Sequence, residues 1–287
     1  MARSFPTLQD IRAAQGLKKA YDRYLLLGPH LFRPVGYVVA WFVVRAGISS
    51  EGISWLSGLV GLGGCVLLVS GAEGAIPAGL GLLLFFNVLD CVDGSIARVL
   101  KTENPYGRFL DSICGGVIDL VFWAIVGIMA FQHPSLLHWP QPLGYGSLFW
   151  LAVGGATCFL FIWLGYLEMC FDQILRPDWD KIQSRERGED SPLNAAESNL
   201  LLGPSNEQPV AAWIRVLMTN LRVRETHYCL LLVAYCTATV DILLAAYLIY
   251  YATYNLSLLV VYATRGRQIK NMYVERKSDR DGNCEGR

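Results

Sequence analysis

Asp90, Asp93 and Asp111 are the residues of this chain whose type and spacing could do chemistry. Asp90 and Asp93 stand three positions apart at the end of a strongly apolar run, so on a helix they share one face. Asp111 opens the next apolar run and can approach the pair from a neighbouring helix. Carboxylates near a bilayer are costly unless they meet a cation or line a wet cavity. Three close together also repel one another without a cation. Hard divalent ions prefer such oxygen ligands and accept phosphate oxygens as co-ligands. The trio is therefore expected to hold one or two Mg2+ or Mn2+ ions, whose charge would neutralise a pyrophosphate and stabilise a leaving group. Gly94 and Ala97 lack bulk, which would let a nucleotide approach the backbone, and Arg98 is placed to pair with a phosphate. Gly107 opens the next helix and permits close packing there, a use that small residues also have in plain membrane-helix association.

Elements that must position these groups are read from the apolar runs. The chain has 287 residues, of which 53% are hydrophobic, and its mean hydropathy is +0.36. That composition points to a polytopic membrane protein rather than a soluble domain. Six apolar runs, at about 53–71, 75–97, 107–131, 147–171, 227–240 and 242–264, predict six transmembrane helices. The fifth run is short, and a tight hairpin near Asp241 is expected to separate it from the sixth, because one helix over both would far exceed a core of about 30 Å. Leu31 to Ala46 is amphipathic, interrupted by Arg33 and Pro34, and short for a span, so it is expected to be an interfacial N-terminal helix. The fold class is thus an all-α integral membrane protein. Its expected parts are a cytoplasmic N-terminal segment at 1–30, a membrane domain at 31–265 and a cytoplasmic tail at 266–287. The polar stretch 172–208 is expected to be a cytoplasmic loop, with 209–224 amphipathic and interfacial, and the tail frayed beyond Tyr273.

Charge placement orients the spans. All 24 Lys and Arg residues fall in four regions, at 1–45, 98–108, 172–226 and 265–287. The opposite side carries none, and positive-inside bias then puts both termini and the acidic motif at the cytoplasmic face. Net charge is zero, and no nucleic-acid partner is expected. The eight cysteines include no CxxC pair, so neither a disulfide framework nor a zinc site is expected. No apolar core of signal-peptide type follows the polar N-terminus, so no cleaved signal is expected. No repeat of fixed period is present.

The motif resembles that of the CDP-alcohol phosphotransferase family, D-x2-D-G-x2-A-R-x8/9-G-x3-D-x3-D. Asp90, Asp93, Gly94, Ala97, Arg98, Gly107 and Asp111 stand at matching spacing, and Gly115 stands where the family has its fourth aspartate. The resemblance implies transfer of a substituted phosphate from a CDP-linked lipid or alcohol donor, such as CDP-diacylglycerol, to an alcohol acceptor. CMP is released, and the setting is phospholipid or related glycolipid biosynthesis. It implies metal roles for Asp90, Asp93 and Asp111, with Asp111 also a catalytic candidate. It implies contacts to the CDP moiety from Gly94, Ala97, Arg98 and Gly107, with Asn104 where relatives often have a hydroxyl near the nucleotide. It further implies membrane lipids as partners and a homodimer, which family members tend to form. A family pattern before the first span is matched weakly by Ser50 to Ser54, where Ser54 keeps the hydroxyl type.

In the family the fourth aspartate is the proposed general base, so Gly115 leaves that role open. Asp119, one turn deeper than Gly115, and His227 with Glu225 at the fifth span are alternative bases, against bland roles as a partnered membrane carboxyl and interfacial groups. An already ionised acceptor would need no base. A catalytically impaired member that binds nucleotide or lipid, or scaffolds other membrane enzymes, is the third reading. Arg222 and Arg224 are expected to hold a phosphate-bearing acceptor or to anchor a helix end at anionic lipid. Glu168 and Asp172 are expected at a solvated helix end.

Overall fold

The computed structural model describes residues 5–15, 24–72, 74–132, 148–187 and 209–285. Its chain divides into two units, one of residues 1–158 with 206–246 and one of residues 159–205 with 247–287. In the first unit α1 (Leu8–Ala13) precedes a π-helical turn (Gly28–Phe32) and α2 (Arg33–Arg45). Two long helices follow, α3 (Ser50–Val69) and α4 (Ala75–Leu100), and then α5 (Pro105–Gln132). Beyond these come α6 (Leu148–Cys170), a second π-helical turn (Phe171–Leu175), α7 (Arg176–Arg187), α8 (Pro209–Asn220), α9 (Arg224–Cys236) and α10 (Val240–Glu285).

Helix α4 is the organising element of the first unit: α1, α2, α3 and α9 all pack on it, while α5 packs on α3. Small residues set the close approaches. A Cβ on Gly79 of α4 would lie 2.9 Å from the Gly64 carbonyl oxygen of α3, and one on Gly61 would meet the Ile118 side chain of α5. Backbone contact of this kind lets apolar helices associate where lipid offers no hydrophobic drive. At the end that carries the acidic motif, Ile11, Ala40, Val44, Ile53, Val92 and Ile96 form a buried cluster joining α1 to α4. Helix α1 owes its short existence to a capping box: the Thr7 hydroxyl accepts from the Asp10 N–H and Asp10 accepts from the Thr7 N–H. The Thr7 hydroxyl, and then its N–H, hold the Asp10 carboxyl below its usual range.

Two connections bring the motif together. Ser49 caps α3 by accepting from the Gly52 N–H at 3.1 Å. Lys101 ends α4 in the left-handed region at φ 54°, and Thr102 N–H closes back on the Ala97 carbonyl at 2.9 Å. The Asn104 side chain then accepts from the Gly107 N–H at 2.7 Å and starts α5. Only Lys101 to Asn104 separate α4 from α5, so the last turns of one helix face the first turns of the next.

In the second unit the Asn255 side chain donates to the Leu160 carbonyl at 3.0 Å and Phe171 stacks on Tyr262 at 4.2 Å. Tyr273 donates its hydroxyl to Asp178 at 2.9 Å.

Among the described residues five helices are long and apolar enough to cross a membrane: Ser50–Val69, Ala75–Leu100, Pro105–Gln132, Leu148–Ile182 and Val240–Val274. The fifth expected span is the exception. It forms α9, only 13 residues long, or about 20 Å at 1.5 Å per residue against a core of about 30 Å. Helix is interrupted near Asp241, at Thr237 to Thr239, with Ala238 left-handed at φ 53°. The amphipathic segment at 31–46 is helical as α2, and it buries Gly36, Ala40 and Val44. Two expectations need correction. Residues 172–187, assigned to the polar loop, are helical, held by an Asp172–Arg176 pair at 2.5 Å and an Asp178–Lys181 pair at 2.7 Å. The tail, expected to be frayed beyond Tyr273, is helical to Glu285. The remainder of the expected loop, 188–208, lies outside the described residues.

Candidate functional site

The capped α4–α5 connection forms the mouth of a cavity of about 450 Å³. Helix α4 contributes Asp90, Asp93, Gly94, Ala97 and Arg98 to its wall, α5 contributes Gly107, Arg108 and Asp111, and α3 contributes Ser50 and Ser54. Glu103, Asn104 and Pro105 complete the rim. The helical repeat explains the α4 wall: residues 90, 93, 94 and 97 recur at three- and four-residue intervals on one face.

Asp93 is buried, and both its oxygens are engaged. Ser54 donates its hydroxyl at 2.6 Å and the Gly94 N–H donates at 2.5 Å. Asp90 is half-buried and faces two ways. It lines the cavity, and its Oδ1 accepts from Arg224 Nη1 at 3.0 Å. Asp111 is the exposed member of the trio. Arg98 folds back over Gly94, where an added Cβ would lie 3.1 Å from its guanidinium. Its Nε donates to Gln15 Oε1 at 2.5 Å, and Gln15 is itself buried just beyond α1.

Asp90, Asp93, Gly94, Ala97, Arg98, Asn104, Gly107 and Asp111, singled out from the sequence, line one cavity. Asp119 and His227 do not. Asp119 is held by Arg224, whose Nε and Nη2 donate to its two oxygens at 3.0 and 3.1 Å. His227 is buried with its Nε2 2.9 Å from the Leu221 carbonyl oxygen, and its ring stacks on Phe122 and meets Trp123 edge-on. Asn104 has a local duty as the cap of α5 besides its place on the rim.

The Arg224 guanidinium also lies over the Phe86 ring, with Cζ 4.9 Å from the centroid. It sits against Gly115, where a Cβ would be 2.6 Å from Nη2. The sequence reading missed two partnerships, Gln15 with Arg98 and Arg224 with Asp90 and Asp119. The second had a signal: a carboxylate inside an apolar run, Asp119, calls for a cationic partner, and Arg224 heads one of the remaining helices.

Among the described residues no three His, Cys, Asp or Glu side chains are gathered tightly enough to hold a metal ion. The donor chemistry nevertheless fits one: three carboxylates share a cavity wall with a serine hydroxyl, all hard oxygen ligands. Asp93 has both oxygens engaged, by Ser54 and Gly94, whereas Arg224 holds one oxygen of Asp90.

Residues 50–168 match the family model described as CDP-alcohol phosphatidyltransferase. A comparison with the curated proteins found no match.

Proposed function

From the match of residues 50–168 to the CDP-alcohol phosphatidyltransferase family model, we propose that this protein transfers a substituted phosphate from a CDP-linked donor to an alcohol, with release of CMP. Phospholipid or related glycolipid synthesis is the setting, and CDP-diacylglycerol is the first donor to test. The observation that carries the reading is the single cavity lined by Asp90, Asp93, Asp111 and Arg98 together with Gly94, Ala97 and Gly107.

The family is divalent-metal dependent, and Asp90, Asp93 and Asp111 would hold Mg2+ or Mn2+, which when bound neutralises the pyrophosphate and the departing phosphate. The chain's own residues do the rest. Gly94 and Ala97 leave room for the nucleotide beside the α4 backbone. Arg98, its Nε fixed by Gln15, offers its remaining N–H groups to a phosphate. Asn104 and Gly107 border the same space. The acceptor oxygen attacks the phosphorus that carries the alcohol group of the donor, that phosphorus loses its bridging oxygen to CMP, and the acceptor proton leaves to a base. Asp111, the exposed carboxylate, is the candidate to receive it.

Purified protein given CDP-diacylglycerol and a panel of alcohols is expected to release CMP only when a divalent ion is present. Asp90→Ala and Asp93→Ala should each abolish that release. Undiminished turnover in either variant rejects the assignment.

A second reading is favoured by Gly115, which supplies no carboxylate and faces a guanidinium instead. On that reading the cavity binds nucleotide or lipid, or scaffolds other membrane enzymes, without turnover. Saturable CDP binding with no CMP release under any acceptor would select it. The topology proposed for either reading has six crossings, α2 at the interface, both termini and the cavity on the cytoplasmic side, and a homodimer as the assembly to test.

A further inference from the structure

We propose that Arg224 is a positioning residue that acts as a built-in cation of the centre: it fixes the orientation of Asp90 and limits the cavity to one divalent ion. The inference rests on the metal reading above and deepens it.

Helix α5 presents Asp111, Gly115 and Asp119 at four-residue intervals, so all three share a face. The Arg224 guanidinium lies over the middle of that row. Nε and Nη2 grip Asp119 bidentately and Nη1 grips Asp90 across on α4. Such a planar fork fixes direction as well as charge, which an ammonium group would not do. Its seat exists because residue 115 has no side chain: a Cβ there would fall 2.6 Å from Nη2 and 3.2 Å from Cζ. Glycine at 115, arginine at 224 and aspartate at 119 thus form one steric and electrostatic unit.

Asp90 is the link between this unit and the cavity. Its Oδ1 is committed to Arg224, which leaves Oδ2 as the oxygen for a ligand in the cavity that Asp90 lines. Asp90 could then give that oxygen to a divalent ion while keeping its bond to Arg224. A second ion on the guanidinium side would have to share Asp90 with a fixed positive charge only a few ångströms away, where repulsion is strong and poorly screened. Asp119 is likewise withdrawn from metal binding, since both its oxygens accept from Arg224.

The test is Mn2+ titration of the full-length protein in lipid nanodiscs with CDP present, read by electron paramagnetic resonance. Wild type is expected to bind one Mn2+ per chain with no Mn–Mn coupling. Arg224→Gln, which removes the charge, should take up a second, coupled ion. Arg224→Lys keeps the charge but not the fork, so it should retain a count of one with affinity weakened about tenfold, as outer-sphere partners of metal ligands commonly do. Gly115→Ala reaches the same unit from the opposite helix and should shift Mn2+ affinity in the same direction, which serves if the Arg224 variants fail to fold. Two coupled ions in the wild type, or identical behaviour of the Gln and Lys variants, overturn the proposal. Absence of any bound Mn2+ in the wild type would instead strike the metal reading beneath it, a result distinct from a count of two.

Discussion

Asp93 is held in place by a side chain that local sequence hardly advertises. The Ser54 hydroxyl donates to it at 2.6 Å from a neighbouring helix. A hydrogen bond to a charged group contributes about 1.5–3 kcal/mol, so Ser54→Ala is expected to lower the melting temperature by several degrees and kcat/KM for CMP release by roughly tenfold to a hundredfold. Steady-state rates with CDP-diacylglycerol would check this, and an unaltered kcat/KM would mean that the bond does not position the carboxylate. Arg98 poses the same question at its other end. Gln15→Ala should free the guanidinium, raising KM for the nucleotide donor several-fold while leaving kcat nearly constant. A fall in kcat at constant KM would contradict the idea that Gln15 orients Arg98 for binding. Asp90, Asp93 and Arg98 were legible in the sequence because they fall within one helix, and Asp111 because it stands near the start of the next. Gln15 and Arg224 were not, because each meets its partner across a long stretch of chain: Arg98 lies 83 residues from Gln15, and Asp90 lies 134 residues from Arg224.

At the scale of the elements, the site depends on α3 and α4 touching backbone to backbone. A side chain at Gly79 would collide with the Gly64 carbonyl, whereas one at Gly116 meets nothing within 4 Å. Gly79→Leu is therefore expected to cost about 1–3 kcal/mol by overpacking and to lower the melting temperature by several degrees in detergent. Gly116→Ala should leave it unchanged. Equal melting temperatures for the two variants would show that the α3–α4 approach does not support the fold. The long helices themselves were readable from uninterrupted apolar runs. Continuation of helix through 172–187 and to Glu285 was not, because polar composition reads as loop until ion pairs at helical spacing and partners such as Tyr273 with Asp178 are placed.

For the whole molecule, the count of crossings decides which side the ends occupy. Five crossings put the termini on opposite faces and six put them on the same face. The distribution of basic residues favours six, with α9 crossing despite its 13 residues. Tags at the two ends, probed by protease in sealed vesicles, should be cleaved together from the cytoplasmic side. Cleavage of one tag only would leave five crossings and return α9 to the interface. The sequence by itself determined an all-helical membrane chain and an acidic motif at helical spacing, since apolar length and helical spacing are local properties that survive without knowledge of packing. Only the tertiary structure decided that Arg224 closes over Gly115 onto Asp90 and Asp119. An ion pair between distant helices depends on which faces meet and on how much room a missing side chain leaves, and neither is encoded in any short stretch of residues.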